Sequence, residues 1–435
     1  MTRLIERTAA AFKRAPRLHA RTGRAHPGRA ALAALALLAG LPAMAQAAPV
    51  AAGPAGAAFY VPPVPLPPGA AGTPIWTRPL DGTMALPSAA SNTLVLYRAT
   101  DAAGAIVPVS GTLSVPPGPV PSGGWPVLTW THGTTGLGPQ CAPSLDTADG
   151  PEHPYIADIQ ALLDGFIRAG YAVVATDYQG LGVAGFHPFM QGVPTGRNAL
   201  DLVRAARQLN PDLGARYAVV GHSQGGQVDL FAAAQGPQVL SELKLVGNVA
   251  FAPGSHIAEW LAKVMADPAA SPALPYVMYV LSSYAHDDPA IDLTRILTPE
   301  AIAHLPDLFV GCMSRATSTG YWSTAIARDQ FVATPDTAAF LAKGRLNEPG
   351  LQAISVPTLI VQGTADTTVP PLYTDDVARQ LCAGGVALTY LPAPGATHDG
   401  AMAQAAPTVR TWLDARFAGT AATSNCGALP KAATP

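Results

Sequence analysis

The sequence predicts an α/β fold with a mostly parallel central sheet flanked by helices. Short continuous apolar runs recur along the chain and are typical of strands buried on both faces. Segments with helical spacing of apolar residues follow most of these runs, and this alternation is typical of a parallel sheet covered on both sides. Hydrophobic residues make up 49% of the 435 residues and charged residues 12%, a composition that can bury a large core. The predicted core strands are 127–130, 171–176, 217–220, 245–251, 358–361 and 388–391.

Helices are predicted where apolar residues recur every three or four positions, and Gly170 and Pro211 end the first two of them. The predicted helices are 156–167, 200–209, 224–234 and 401–417. Ahead of this alternation, residues 92–115 predict two strands with a turn near Asp101–Gly104. Residues 48–72 are rich in Ala, Pro and Gly, and we expect a poorly packed N-terminal arm there.

Residues 254–350 interrupt the alternation and are too numerous for a plain loop. They contain several helical pieces and an apolar run at Leu274–Leu281, so we interpret them as a helical cap inserted into the sheet domain. The predicted sheet domain therefore consists of 48–253 and 351–426, and residues 427–435 are predicted to be a flexible tail.

The first 47 residues predict a secretory signal peptide. A basic stretch precedes an apolar run from Ala30 to Leu41, and small residues suited to cleavage follow at 43–47. A membrane anchor is the alternative, but the run is too short to span a bilayer and is followed by Pro42. The sequence therefore predicts a secreted or periplasmic protein.

The charge argues against a nucleic-acid partner. The leader contains eight of the 26 Lys and Arg residues and one of the 28 acidic residues, so the remaining chain has a formal net charge of −9. No basic run remains that could follow a phosphate backbone. We therefore expect no nucleic acid among the partners, and the sequence makes no prediction of the oligomeric state.

The strongest chemical signal is the segment Gly221-His222-Ser223-Gln224-Gly225-Gly226, which has the form G-x-S-x-G. It lies between a predicted buried strand and a predicted helix, which is the context of a nucleophile elbow in the α/β-hydrolase fold. Gly221 and Gly225 meet the need for residues without bulk around such a sharp turn. Ser223 is therefore the predicted nucleophile, and we expect the His222 side chain to point away from the tip of the turn.

A serine hydroxyl needs a general base, and the chain order in this fold is serine, then acid, then histidine. His398 lies in the loop after the last predicted strand and is the predicted base. Asp366 follows the preceding strand and is predicted to orient the imidazole, whereas Asp399 is interpreted as a helix cap. Other candidates after Ser223 are interpreted as surface, solvated or capping residues: His256, His286, His304, Asp375 and Asp376.

An oxyanion that forms during attack on a carbonyl requires two backbone N–H donors. One is assigned to Gln224, the residue after the nucleophile. The other belongs to the loop after the first core strand, where Thr134 is the predicted donor and Gly133 is the alternative. This chemistry needs neither a metal nor an organic cofactor, so none is predicted.

The chain contains four cysteines, Cys141, Cys312, Cys382 and Cys426. An even number in an exported protein predicts two disulfides, for which three connectivities are possible. The cysteines lack the close spacing that is typical of a zinc site.

Taken together, these motifs resemble the secretory lipase family, which includes cap-bearing enzymes of the yeast lipase A type and bacterial relatives. The resemblance implies a helical cap over the site and ester substrates, often lipids, with transient contact with lipid interfaces. It also implies the disulfides Cys141–Cys312 and Cys382–Cys426. The resembling segments cover most of the chain after the leader: 131–136, 140–144, 175–182, 221–226 and the loops that contain Asp366 and His398.

The predicted function is hydrolysis of carboxylic esters through an acyl-enzyme on Ser223, as in a lipase or a broad carboxylesterase. The same residues would also serve hydrolysis of polymeric or aromatic esters, or acyl transfer. The contrasting alternative is a binding protein that keeps the fold without catalysis, and the complete set of Ser223, Asp366 and His398 argues against it.

Overall fold

The computed structural model describes residues 50–430, and strands within that range form a ten-stranded sheet. In chain order the strands are β1 (Ala51–Ala52), β2 (Pro74–Pro79), β3 (Ser91–Thr100), β4 (Ile106–Val115), β5 (Trp125–Thr131), β6 (Ala172–Thr176), β7 (Leu213–His222), β8 (Lys244–Phe251), β9 (Thr358–Gly363) and β10 (Leu388–Ala393). Their order across the sheet is β1-β2-β3-β4-β6-β5-β7-β8-β9-β10.

The sheet is mostly parallel, as predicted. The strands from β6 through β5 and β7 to β10 all pair in parallel. The remaining side is largely antiparallel, since β3 pairs with both β2 and β4, and β4 pairs with β6. The six predicted core strands correspond to β5–β10, and the predicted hairpin at 92–115 corresponds to β3 and β4.

Helices flank the sheet and also fill the connection between β8 and β9. In chain order they are α1 (His153–Arg168), α2 (Gly192–Leu209), α3 (Gln224–Val239), α4 (Ile257–Ala266), α5 (Leu274–Asp287), α6 (Pro299–His304), α7 (Asp307–Val310), α8 (Met313–Ser318), α9 (Tyr321–Thr324), α10 (Ala338–Leu346), α11 (Pro371–Ala383) and α12 (Gly400–Phe417). The four predicted helices agree with α1, α2, α3 and α12, although α2 begins earlier, because the Gly and Pro residues of its first turns hide the apolar periodicity.

Each face of the sheet has its own apolar core. Successive side chains of a strand point to opposite faces, and β7 illustrates this. Ala218 and Val220 pack with α1 and α12, whereas Tyr217 and Val219 pack with α2, α3 and α11. Because both faces are covered, the carboxyl-end loops of the parallel strands are the part of the sheet that remains open to a ligand.

The prediction of a poorly packed N-terminal arm agrees with the exposure of most of residues 50–72, but it is wrong for Phe59 and Tyr60. Phe59 is fully buried and Tyr60 is nearly so. Phe59 packs edge-on against Trp76 of β2, and the Tyr60 hydroxyl lies 2.9 Å from the Ser144 hydroxyl. Two aromatic side chains therefore anchor a segment whose Ala, Pro and Gly content gives no apolar periodicity.

The connection between β8 and β9 has an apolar core of its own. The apolar run at 274–281 forms α5, where Leu274, Met278 and Leu281 are fully buried. A disulfide joins Cys312 of this connection to Cys141, and a second joins Cys382 to Cys426, with Cα–Cα distances of 5.5 and 5.7 Å. These are the two pairings that the family resemblance implies.

The predicted signal peptide at 1–47 lies outside the described residues, as do residues 431–435 of the predicted tail. The described residues of the tail are 427–430, and the first two of them belong to the helical turn Cys426–Ala428. Within residues 50–430, no helix combines the length and the apolar character that crossing a membrane requires.

Candidate active site

Ser223 occupies the turn between β7, which ends at His222, and α3, which begins at Gln224. Its φ of 59° and ψ of −120° are strained for a residue with a side chain. A Cβ at Gly221 would overlap the carbonyl oxygen of Gly225, and one at Gly225 would overlap the carbonyl oxygen of Thr131. The two glycines therefore permit the sharp turn that presents the Ser223 hydroxyl.

His398 and Asp366 form a directly bonded pair. The imidazole Nδ1 lies 2.7 Å from Oδ2 of Asp366, whose side chain is fully buried. Oδ1 of Asp366 accepts the N–H groups of Thr368 and Val369, each at 2.8 Å. Because a carboxylate oxygen can only accept, the bond to Asp366 places the proton of His398 on Nδ1.

The opposite nitrogen of His398 is left available. Nε2 is buried and has no hydrogen-bond partner among residues 50–430. Ser223 and His398 line the same chamber, although the structure has no direct hydrogen bond between them. The chamber therefore brings Ser223 together with the bonded pair of His398 and Asp366.

The two predicted oxyanion donors face a common space. Thr134 and Gln224 both line the chamber beside Ser223, and neither backbone N–H donates a hydrogen bond within the described chain. The alternative donor is occupied, since the N–H of Gly133 donates to the Tyr155 hydroxyl at 2.7 Å. The geometry therefore favours Thr134 over Gly133.

The side chain of Gln224 is held by a buried histidine. Nδ1 of His187 lies 2.9 Å from the carbonyl oxygen of Gln179 and so carries the proton. Nε2 of His187 then accepts the Gln224 amide at 2.9 Å. Burial lowers the pKa of His187 to about 3, which keeps the ring in the neutral form that can accept this bond. The sequence offered no signal for this role, because His187 lies 36 residues before Ser223.

The Asp177 loop, which belongs to the motif at 175–182, braces the same region. Asp177 is buried and accepts hydrogen bonds from the hydroxyls of Ser110 and Ser144. Burial raises the pKa of this carboxyl group. The neighbouring Tyr178 donates its hydroxyl proton to the carbonyl oxygen of His132 at 3.0 Å, immediately before the predicted oxyanion loop. Residues 175–182 therefore support the site through these hydrogen bonds.

Two predictions about residues adjacent to the site are wrong. The His222 side chain does not point away, since it lines the chamber with a ring centroid 4.4 Å from that of His398. Asp399 precedes α12 but makes no capping bond, because its own backbone is already helical. The Thr397 hydroxyl accepts the Gly400 N–H instead, and Asp399 faces the chamber.

The interpretation of His256 as a surface residue is also wrong. Its side chain is 11% exposed and lies within 3.2 Å of Asp376 on α11. The ring stacks on Tyr373 of the same helix. His256 is largely covered because the chain packs against α11 where α4 begins, a contact that local sequence cannot reveal.

Ser223 separates two chambers of different character. The first has a cavity volume of about 50 Å³ and an apolar lining contributed largely by α4 and α5. The second, about 180 Å³, is polar and contains the carboxylates of Glu152 and Asp399. Burial raises the pKa of both carboxyl groups. The apolar chamber is lined by Phe189, Met190, Ile257, Trp260, Tyr276, Val277, Val280 and Val369.

Three side chains beside Ser223 could in principle hold a metal ion, but most of their ring nitrogens are already hydrogen-bonded. Ligand atoms of His222, His398 and Asp399 lie within 4.8 Å of one another. However, Nδ1 of His398 bonds Asp366, and the two ring nitrogens of His222 lie 2.9 Å from the Tyr155 hydroxyl and 3.3 Å from the His398 carbonyl oxygen. This donor set suits a hydrogen-bond network better than a metal centre.

Buried histidines lead us to expect destabilisation by mild acid. Burial lowers the pKa of His132 to about 4 and of His187 to about 3, and it lowers that of His222 well below its usual range. The unfolded chain binds these protons near pH 6.5 while the folded protein does not, so the contribution of these rings to the free energy of unfolding falls as the pH drops below about 6.5. Each ring contributes a slope of about 1.4 kcal/mol per pH unit until its folded pKa is reached.

Urea unfolding between pH 7.5 and 5 measures this slope. The variant His187→Gln should reduce the slope, whereas His304→Gln, at a partly exposed position, should leave it unchanged. An equal slope in wild type and His187→Gln would contradict the prediction.

The arrangement at the carboxyl edge of this mostly parallel sheet is that of an α/β-hydrolase. A comparison with known protein families matches residues 157–425 to the secretory lipases. The chain belongs to the secretory lipase family, and it is a carboxylic ester hydrolase. The comparison with curated protein sequences gave no match.

Solved structures are similar in fold at low sequence identity. Candida antarctica lipase A is 19% identical with a TM-score of 0.72, over 87% of this chain and 90% of that one. A rice cell wall degrading esterase, LipA from Xanthomonas oryzae, is 19% identical with a TM-score of 0.65, over 81% of this chain and 100% of that one. A putative hydrolase from Legionella pneumophila is 18% identical with a TM-score of 0.59, over 75% and 88% of the two chains.

Proposed function

We propose that the protein is a secreted serine hydrolase that cleaves carboxylic esters through an acyl-enzyme on Ser223. The single observation that carries this proposal is the strained Ser223 turn beside a histidine whose free Nε2 faces no other partner in the described chain. Asp366, bonded to Nδ1, would hold the imidazole in the tautomer that can accept the serine proton.

In the proposed reaction, Ser223 Oγ attacks the ester carbonyl carbon while His398 Nε2 takes the hydroxyl proton. The backbone N–H groups of Thr134 and Gln224 stabilise the negative oxygen of the tetrahedral intermediate. His398 then gives its proton to the departing alcohol. A water molecule, deprotonated by the same imidazole, attacks the acyl-enzyme and releases the acid.

The two chambers favour one orientation of the ester. The apolar chamber formed largely by α4 and α5 suits the acyl chain, because transfer of methylene groups from water into it is favourable. The polar chamber suits the alcohol part, and Glu152 and Asp399 disfavour an anionic alcohol there. The proposed substrates are therefore esters of an apolar acid with a neutral, hydroxyl-bearing alcohol.

Esters of a polymer are a second candidate, because the polar chamber would accept a hydroxyl-rich alcohol such as a sugar unit. One similar fold belongs to a rice cell wall degrading esterase. Variation of the alcohol at a constant acyl group separates this candidate from a lipase, since a polymer esterase would prefer sugar esters to triacylglycerols.

We also propose that residues 254–350 form a cap over the site and that the leader at 1–47 is removed on export. Two disulfides and no free cysteine in the described chain support a secreted or periplasmic location. The apolar lining contributed by α4 and α5 supports transient contact with lipid interfaces, as long acyl chains would enter beneath these helices.

An ester panel with one cap variant tests the proposal. Wild type should hydrolyse esters from acetate to long-chain triacylglycerol, and Val280→Trp should lower kcat/KM for octanoate by about tenfold while acetate changes little, because the larger ring fills the acyl chamber. The control Val193→Trp adds the same ring at an exposed site on α2.

A second set of substrates in the panel varies the alcohol at one acyl length. It compares butyrate esters of methanol, glycerol, glucose and glycolate. We expect hydrolysis of the neutral alcohols to exceed that of the glycolate ester. No hydrolysis of any ester in the panel would refute the proposed function. An unchanged acyl-length profile in Val280→Trp would refute the assignment of the acyl chamber.

A further inference from the structure

A chain of three hydrogen bonds links the oxyanion loop to the loop of His398. The Gly133 N–H lies 2.7 Å from the Tyr155 hydroxyl, which lies 2.9 Å from Nδ1 of His222. Nε2 of His222 lies 3.3 Å from the carbonyl oxygen of His398. This series of hydrogen bonds therefore begins at Gly133, one residue before the proposed oxyanion donor Thr134. It ends on the backbone of His398, the proposed base.

The direction of every bond is fixed by the two ends. A backbone N–H can only donate and a carbonyl oxygen can only accept. Tyr155 therefore accepts from Gly133 and donates its own proton to Nδ1 of His222, and the ring donates the Nε2 proton to His398. Asp399 lies 3.8 Å from the same Nε2, too far for a competing hydrogen bond.

His222 is suited to this role because it stays neutral. The ring is fully buried, and burial together with the neighbouring His398 lowers its pKa well below the usual range. A charged His222 would carry a proton on Nδ1, where the Tyr155 proton now lies. It would also repel the imidazolium that His398 becomes during the reaction.

The sheet alone does not set the distance between the two loops. Thr134 follows β5 and His398 follows β10, and β7, β8 and β9 lie between these strands. His222, the last residue of β7, is attached directly to Ser223. Its ring, through the Tyr155 hydroxyl on one side, thus links both loops at the point where the nucleophile is held.

We propose that Tyr155 and His222 are positioning residues that fix the proposed oxyanion donor and the proposed base relative to Ser223. This inference rests on the proposed function. It assigns no step of the chemistry to either side chain. It predicts that their loss weakens binding of the tetrahedral intermediate while leaving binding of the ester nearly unchanged.

The test uses the variants Tyr155→Phe, His222→Gln and His222→Ala in the whole protein after the leader at 1–47. Phe keeps the ring of Tyr155 and removes the hydroxyl. Gln keeps a donor that can reach the His398 carbonyl oxygen but loses the Nδ1 acceptor, whereas Ala loses both. We expect kcat/KM for butyrate esters to fall about 10- to 100-fold in Tyr155→Phe and His222→Ala, with KM nearly unchanged and His222→Gln intermediate.

Two further measurements separate positioning from loss of folded protein. Titration with a fluorophosphonate counts reactive sites, so that rates are expressed per active molecule. The Ki of phenylboronic acid, which forms a tetrahedral adduct with a serine hydroxyl, should rise by the same factor as kcat/KM falls. A purely structural role would lower the titre and leave the Ki of the remaining enzyme unchanged.

Tyr97→Phe is the matched control. The Tyr97 hydroxyl is fully buried, bonds Thr176 and Asn198, and borders neither chamber. Its loss should change stability without changing the boronate Ki. The positioning role is overturned when Tyr155→Phe and His222→Ala keep the wild-type kcat/KM and Ki per titrated site. Failure of wild type to react with the fluorophosphonate at Ser223 would instead overturn the proposed function, and the inference with it.

Discussion

Ser223→Ala is expected to lower kcat for ester hydrolysis by about 10⁶-fold, to a rate set by the remaining oxyanion donors and binding contacts. The change removes only the hydroxyl and leaves the backbone of the turn in place. Three bonds hold that turn, since the Ser223 N–H donates to Phe251 and its carbonyl oxygen accepts from Gln227 and Gly254. The folded structure and substrate binding should therefore persist while turnover of p-nitrophenyl butyrate is lost.

The control for this variant is Ser318→Ala, which removes an exposed serine hydroxyl on α8. It should retain full activity. In wild type, a fluorophosphonate should abolish activity and leave one adduct on the peptide that contains Ser223. Activity in Ser223→Ala above the level of trace wild-type contamination, or an adduct on another residue, would contradict the assignment.

Asp366→Asn is expected to lower kcat by about 10⁴-fold. The Asp366 carboxylate accepts hydrogen bonds from Thr368, Val369, Gln362 and His398, and an amide has only one oxygen to offer these donors. The two backbone N–H groups would take that oxygen, so that the NH₂ group faces the imidazole. Nδ1 of His398 must then accept, which moves the ring proton to Nε2, where it can no longer take the serine proton.

Rates of p-nitrophenyl butyrate hydrolysis across pH 6 to 9 check this expectation. Asp375→Asn, on α11, is the control, because Asp375 bonds Tyr390 and not His398. It should lie within about twofold of wild type. A larger loss in Asp399→Asn than in Asp366→Asn would transfer the orienting role to Asp399.

The elbow could be predicted from sequence because its determinants are local. The glycines at 221 and 225 are needed to avoid clashes within the turn itself and with the adjoining strand, and the strand before Ser223 is continuous and apolar. Chain order then selected Asp366 and His398, whose loops follow consecutive strands β9 and β10. The structure brings those two side chains into direct contact.

The side chains that brace the site could not be predicted in this way. Tyr155 meets His222 across 67 residues of sequence, and His187 meets Gln224 across 37. No sequence motif signals either contact. The contacts arise from the way α1 and the segment before α2 pack against the elbow. The buried Phe59 was missed for the same reason, because its partner Trp76 lies on a strand that the sequence pattern did not reveal.

The division of the site at Ser223 would also govern the fate of the proposed acyl-enzyme. In the proposed mechanism, departure of the alcohol would empty the polar chamber while the acyl chain would remain in the apolar chamber. Any hydroxyl compound that enters the vacated space meets the same imidazole and the same amides as water does. Glycerol or another polyol at high concentration should therefore divert part of the acyl-enzyme into a new ester. The ratio of new ester to free acid then measures how well the polar chamber holds an alcohol, independently of the first cleavage.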